Sequence, residues 1–538
     1  MALAHGSPAP CEPAALARGE SRQETDAACK RWALIVAVLG SSLAFIEGSV
    51  VNVALPSLQA DLRLSAAGAQ WVVNSYLLLL SGLMLLGGSL GDRFGVVRVY
   101  AAGVGLFGVA ALGCGLAPDA PWLIAARAVQ GVGGAMLVPS SLALIGRAFP
   151  KDERGAAIGT WAGFSALTTA LGPVLGGWLT DAWHWRGVFL VMPLPAFAAG
   201  WLALSRVTVD GRGRRHGTDW AGAALAVAAL GGLSLGFILV PERGWGDPGV
   251  WAALAAGAVA AVAFVLLERR RRHPLLPLRL FRSRPFSGAN AATLLLYAAL
   301  NAALFLLPFL LIQARGFSPT AAGAAFLPFS LVMGAGSRFA GRWFAGEGAG
   351  RYLAAGSAVT GAGMVWLAAA RSGSFWIDVL PAMLLMGVGM TVAVPPLTTI
   401  VMNSAGEEDA GSASGVNNTA ARVAGLLAIA VLGSFAVDRY EARLREALAA
   451  VELPAEARAA VLERSRELLA AELPESVPPG LRPQVEAVRR RAFEGAFGST
   501  LAVAAGLAFA TVLVSLLTLR APPRPRSTRP SPPRARPT

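Results

Sequence analysis

Gly-Ser-Leu-Gly-Asp-Arg-Phe-Gly-Val-Val-Arg occupies residues 88–98 and joins two long apolar runs. A short polar, charged turn between two membrane-length stretches marks a place where the chain leaves the bilayer and re-enters it. Gly88 and Gly95 allow a tight turn and close packing, and Asp92 and Arg93 sit where a helix meets water. Working outward, apolar stretches of about 20 residues recur along the chain, each long enough to cross a ~30 Å hydrocarbon core as a helix. Helices satisfy their own backbone hydrogen bonds, so they persist in lipid. The 538 residues are 55% hydrophobic and only 14% charged, whereas a soluble chain carries about a quarter charged residues. The expected class is an all-α polytopic membrane protein.

The apolar runs predict helices over 32–55, 69–90, 97–117, 121–146, 156–180, 186–206, 219–240, 248–267, 285–313, 319–340, 352–370, 375–402, 411–436 and 495–519, fourteen spans in all. Basic residues on short loops mark the cytoplasmic side. With an internal N-terminus, 29 Lys and Arg fall inside and 15 outside, and ten of those outside belong to the single long loop 437–494. Both termini are therefore expected in the cytoplasm. Residues 341–356 repeat 88–103 at a constant offset of 253: Gly88, Gly95, Arg98, Ala101, Ala102 and Gly103 recur as Gly341, Gly348, Arg351, Ala354, Ala355 and Gly356. A parallel repeat of this kind predicts two six-helix halves. The expected organisation is a tail over 1–31, a first half over 32–206, a linker with two extra helices over 207–284, a second half over 285–520, and a Pro- and Arg-rich disordered tail over 521–538. The stretch 455–473 in the long loop has an amphipathic pattern. It reads as a solvated external helix, or alternatively as a lid or a partner contact.

Glu47 lies 15 residues past Trp32 in the first span, roughly 22 Å into the membrane. A carboxylate there is expensive, so it faces the protein interior or a wet cavity. It can carry a proton between two environments, or it can be a neutral side chain satisfied by a neighbouring helix. Arg127, near the outer end of the fourth span, can hold a carboxylate or snorkel to the interface. Gln130, three residues on, shares its helix face. Asn74 in the second span is a candidate lining residue of a cavity.

Several ordered motifs resemble one family. The 88–98 stretch resembles the G-x-L-x-D-R-x-G-R-R loop of the major facilitator superfamily, with Val96 and Val97 at the first two basic positions. Phe-Ile-Glu-Gly-Ser-Val-Val-Asn-Val-Ala-Leu-Pro, residues 45–56, resembles the first-helix signature L-D-x-T-x-V-N-V-A-L-P of the fourteen-helix drug:proton antiporters; Glu47 stands for Asp, and Asn52 and Pro56 match. Residues 123–135 resemble L-x-x-x-R-x-x-Q-G-x-G-x-A. Gly172, Pro173, Gly176 and Gly177 resemble the exporter motif G-P-x-x-G-G. Residues 414–422 resemble S-G-x-N-N-T-x-R-Q, with the arginine displaced by one to Arg422. The resemblance implies the major facilitator fold, two six-helix halves plus two central helices. It also implies proton coupling by Glu47 and Arg127, a cavity that includes Asn52, Asn74 and Gln130, and a conformational latch of Gly88, Asp92, Arg93, Gly95 and Arg98. Gly172, Pro173, Gly176 and Gly177 would form the antiporter helix bend.

Other chemistries find no support. The four histidines, His5, His184, His216 and His273, fall in tails or loops without metal spacing. Cys11, Cys29 and Cys114 form neither a disulfide framework nor a metal motif and read as free thiols. A phosphate-binding loop needs Lys before Ser or Thr, and Lys30 and Lys151, the only lysines, precede Arg31 and Asp152. The net charge of +14 resides almost wholly in arginine on alternate loops, which points to membrane orientation and not to nucleic acid. The expected function is proton-coupled export of small, lipophilic or drug-like molecules by a monomer, with no enzyme activity and no cofactor. A carrier of one specific metabolite on the same fold is the alternative, and a non-transporting sensor a weaker one. The preference for Arg over Lys suggests a GC-rich bacterial source and an inner membrane.

Overall fold

A computed structural model describes residues 22–208, 219–271, 274–344, 348–370, 373–404, 406–469 and 472–519. The Arg-rich 209–218 stretch and both terminal tails, including the expected disordered 521–538, lie outside the described residues. Among the described residues the chain is helical, with no strand. In order, the long helices are α1 (Arg22–Asp61), α2 (Ala66–Phe94), α3 (Val96–Gly115), α4 (Ala120–Ala148), α5 (Lys151–Ala182) and α6 (Trp185–Leu190 continued by Pro193–Arg206). Then come α7 (Trp220–Arg243), α8 (Pro248–Arg270), α9 (Arg284–Pro308, extended by Phe309–Ala314) and α10 (Pro319–Ala324 and Leu327–Phe344). The last are α11 (Ala349–Ala368), α12 (Phe375–Val379 and Leu380–Asn403), α13 (Gly406–Ala449) and α14 (Arg482–Thr518).

Among the described residues, twelve of these are long and apolar enough to cross a membrane. The other two, α5 and α11, are 32 and 20 residues long and occupy the places of the fifth and eleventh expected spans. The buried side of α11 includes Gly350, Gly356, Ser357, Thr360, Gly361 and Gly363 among Leu353, Met364 and Leu367; small residues of this kind let helices approach closely in a bilayer.

Polar side chains start the helices where the sequence turns. Ser65, Asp119, Asp219, Asp247 and Ser318 each accept a backbone N–H from the first turn of α2, α4, α7, α8 and α10, satisfying donors that have no partner inside the helix. The 253-residue repeat has a backbone counterpart. Gly95 ends α2 at φ +94° and Gly348 precedes α11 at φ +92°, so both equivalent turns use a conformation that costs an L-residue a steric clash. Exposed Trp122, Trp183, Trp245, Trp251, Trp366 and Trp376 lie toward one end of the antiparallel bundle, and exposed Trp201 and Trp220 toward the other, the two interfaces at which aromatic belts form.

Four expectations need correction. α1 begins at Arg22, inside the expected 1–31 tail, because a helix does not stop where the bilayer does. α13 runs to Ala449 instead of 436 for the same reason: Asp438, Arg439 and Glu441 end the apolar run but not the hydrogen-bond ladder. The 437–494 loop is also no simple solvated helix. The end of α13, the helix Ala455–Glu463 and the start of α14 close over a core of Tyr440, Leu444, Leu448, Val461, Val485 and Phe493, all buried. Tyr440 and Phe493 meet edge to face, with ring centroids 6.0 Å apart, and Arg489 donates to the Leu468 carbonyl at 3.1 Å. Cys114 is a buried free thiol, whereas Cys29 is disulfide-bonded; a single pairing needs only two thiols brought close, which spacing along the chain does not report.

Candidate functional site

The interior polar centre forms where α1, α2, α4 and α6 meet. α1 carries Glu47 and α4 carries Arg127, 80 positions apart in sequence. The two join in an ion pair of 2.5 Å, Arg127 Nη1 to Glu47 Oε1, with side chains 1% and 0% exposed. Arg127 does not snorkel. The same Nη1 donates to Gln130 Oε1 at 2.7 Å, and Nε donates to the Val72 carbonyl of α2 at 3.0 Å. Its Cζ stands 4.4 Å from the Tyr76 ring centroid and 5.8 Å from that of Phe189. The guanidinium is thus fixed by a carboxylate, an amide, a carbonyl and two aromatic faces. A cation at membrane depth needs this much company. Tyr76 is held in turn by its hydroxyl, which donates to the Ala44 carbonyl at 3.4 Å, and Cys114 Sγ donates to Gln130 Oε1 at 3.7 Å.

One carboxylate oxygen is left over. Glu47 Oε2 is buried and makes no hydrogen bond, and neither does Gln130 Nε2. Nearby on the same helices, Asn52 Oδ1, Gln70 Oε1 and both side-chain polar atoms of Asn74 are buried without a partner. Buried polar groups are normally paired. These exceptions lie on α1 and α2, and Gln130 also holds Arg127.

The Gly-Pro motif serves as a seat between helices and not as a break, for α5 is one helix through Pro173. A Cβ on Gly172 would collide with Ser49 Oγ of α1, and one on Gly176 would stand 2.7 Å from the Val50 carbonyl oxygen. Both contacts lie within a turn of Glu47. Gly177 faces α10: a Cβ there would collide with the Pro319 carbonyl and stand 2.7 Å from Thr320 Cα. Gly323 of α10 faces Pro173 of α5 in the same way, its Cβ position 2.7 Å from the Pro173 carbonyl carbon. Asp181 accepts the Thr320 backbone N–H at 2.8 Å and also its hydroxyl. One motif therefore holds α5 against both the helix of Glu47 and a helix from the other end of the chain.

The expected latch residues lie apart from this centre, at the far end of α2. Gly88 is 16 residues beyond Val72, about 24 Å along the helix. Gly95 makes the turn, Arg93 and Arg98 are exposed, and the Arg93 guanidinium carbon lies 5.2 Å from the Phe94 ring centroid. The side chain of Asp92 lies outside the described residues. Sequence reasoning missed the packing partners Tyr76, Phe189 and Cys114, whose only signal is their place on helices that face Arg127. It also missed a second interior pair, Arg315 of the α9–α10 turn with Asp378 of α12 at 2.8 Å, 4% and 5% exposed. Trp185 and Arg186 tie helix ends together: Trp185 Nε1 donates to Asp61 at 2.9 Å, and Arg186 donates to the Gly115 carbonyl at the end of α3 and to the Ala117 carbonyl just beyond it.

Residues 37–429 match the family model of the Major Facilitator Superfamily. The chain belongs to that superfamily. It is 31% identical over 504 residues to the tetracenomycin C resistance and export protein of Streptomyces glaucescens, covering 92% of this chain and 93% of that one. It is 34% identical to the multidrug resistance protein Stp of Mycobacterium tuberculosis, over 74% of this chain and 75% of that one. Among solved structures, a bacterial homolog of the human lysosomal transporter Spinster superposes with a TM-score of 0.63 at 14% identity, over 91% of this chain and 97% of that one; this likeness concerns the fold alone. Within the superfamily the chain stands with the drug-efflux transporters, and it is a multi-pass membrane transporter, not an enzyme.

Proposed function

We propose that this transporter exports lipophilic, drug-like small molecules in exchange for protons, and that Glu47 carries the proton. The observation behind the proposal is the buried pair: Arg127 holds one oxygen of Glu47, and the other oxygen is free to take a proton. A proton on Oε2 neutralises the carboxylate and weakens its hold on Arg127, which keeps Val72, Gln130 and Tyr76 as partners. Loss of the proton restores the pair. Because Gly172 and Gly176 seat α5 on α1 beside Glu47, a shift of α1 reaches the α5–α10 contact at Gly177 and Gly323.

In this reading α5 and α11 also cross the bilayer, which makes fourteen spans. Helices α1–α6 and α9–α14 form the halves 32–206 and 285–520, and they rock about a midplane cavity lined by Asn52 and Asn74. The pair α7 and α8 in 207–284 is additional to both. The basic loops put both termini in the cytoplasm, the Trp122 end of the bundle and the 437–494 head outside, and Gly88, Asp92, Arg93, Gly95 and Arg98 at the cytoplasmic turn as the latch. The protein acts as a monomer in a bacterial inner membrane, with protons and small molecules as its only partners.

The test is proton release from inverted, acid-loaded vesicles challenged with lipophilic compounds. Compounds that release protons through the native protein should release none through Glu47→Gln. Undiminished substrate-driven release by well-folded Glu47→Gln would remove Glu47 from the carrier role.

A further inference from the structure

Two interior arginines have their own carboxylate: Arg127 has Glu47 and Arg315 has Asp378. Arg422, on α13, has none. Among the described residues it makes no ion pair and no hydrogen bond. Its Cζ lies 5.8 Å from the ring centroid of Phe45. Phe45 is two positions before Glu47 and near the middle of α1, so Arg422 lies at the depth of the proton site. The ring is itself fixed: it meets Trp161 of α5 edge to face at 6.1 Å, and Trp161 Nε1 donates to Ser41 Oγ at 2.9 Å. An aromatic face attracts a cation but does not neutralise it.

The charge balance of the interior follows. Among the described residues the carboxylates of these two pairs, Glu47 and Asp378, are taken, and no carboxylate opposes Arg422. Asn52 on α1 and Asn74 on α2 carry buried neutral polar atoms without partners. A cationic guest would meet an unpaired positive charge and find no free carboxylate. An anionic guest would pair with Arg422. A guanidinium presents a planar fork of N–H donors that matches a carboxylate. Because Arg422 reaches from α13 to α1, such a guest would sit between elements from the two ends of the chain, where an alternating-access transporter opens.

We propose that Arg422 is the counter-ion for an acidic group of the exported molecule, so that the substrates are lipophilic organic anions, carboxylates or acidic phenols. This rests on the export reading above and names its substrate class.

The test uses the purified full chain in proteoliposomes with a pH gradient. The probes are lipophilic carboxylates and acidic phenols matched with amines of the same skeleton, for example 1-pyrenebutyrate and 1-pyrenebutylamine. The native protein should prefer the acids. Arg422→Ala should raise KM for the acids at least tenfold while changing KM for the amines little, Arg422→Lys should recover part of the loss, and Arg422→Glu should reverse the preference. Gel filtration and thermal unfolding check each variant, and if Arg422→Ala does not fold, the acid-to-amine ratio of Arg422→Lys and Arg422→Glu decides. Glu47-dependent transport of amines in preference to acids, or an equal effect of Arg422→Ala on both, overturns the proposal and leaves export standing. Movement of neither class overturns the export reading, and the proposal with it.

Discussion

The α5–α10 contact makes a sharp prediction, because its closeness depends on two hydrogen atoms. Gly177 and Gly323 face each other's helix backbones reciprocally, and a Cβ on either would collide with a carbonyl of the partner helix. Alanine at one of them forces the helices apart by roughly 1 Å or more, and overpacking of this kind costs about 1–3 kcal/mol. The cost falls only on the conformation in which the two helices touch; an arrangement that separates them has room for the methyl group. At about 1.4 kcal/mol per factor of ten, a penalty near 2 kcal/mol shifts the balance between the two arrangements about 30-fold. Spin labels on exposed positions of α5 and α10 report this as loss of the short-distance population by double electron–electron resonance. Gly177→Ala and Gly323→Ala should each deplete it and slow transport, while protein yield stays near native. Gly48→Ala is the control, since nothing lies within 4 Å of a Cβ there. An unchanged short-distance population in Gly177→Ala would refute the reasoning.

Two further outcomes concern stability. Gly95→Ala places a methyl group at φ +94° and should cost roughly 1–2 kcal/mol in chemical unfolding, whereas Gly105→Ala, within α3 and open to space, should be neutral or add up to about 1 kcal/mol. If both changed stability alike, the turn geometry would not be the cause. Phe493→Ala removes a ring that is 3% exposed in the head and should cost about 3–5 kcal/mol, read as faster proteolysis between residues 450 and 480 with the transmembrane part intact; unchanged protection would mean that the head is not a packed unit.

The physics of single residues made much of this legible in sequence. Glu47 and Arg127 are each too costly at membrane depth to be incidental, so each could be picked out alone. That they meet was not readable, because 80 positions separate them and no spacing rule links α1 to α4. Tyr76 and Cys114 were opaque for the opposite reason: either is unremarkable in an apolar helix until the folded chain places it beside Arg127. Helix ends were read too short at Asp438 because hydropathy measures fitness for lipid, while the helix ends only where its backbone bonding does. The head core did leave a trace, Tyr440, Leu444 and Leu448 at four-residue intervals, hidden by the charged residues between them. Arg422 was visible as a cation in a span, yet only the fold revealed Phe45, and among the described residues no carboxylate, beside it.

The accessory pair α7 and α8 gives the molecule a mechanical asymmetry. α8 packs on α7, where Gly232 and Gly257 let the two backbones nearly touch. α7 packs at once on α2 and on α13, and Glu242 near its end meets the Ser65 hydroxyl. In the proposed two-half arrangement it bridges helices of opposite halves. A change of angle between those halves would then have to make one face of α7 slide. The proposed motion would be closer to a door on a stiff hinge than to a symmetric rocker, with α7 as the leaf that resists.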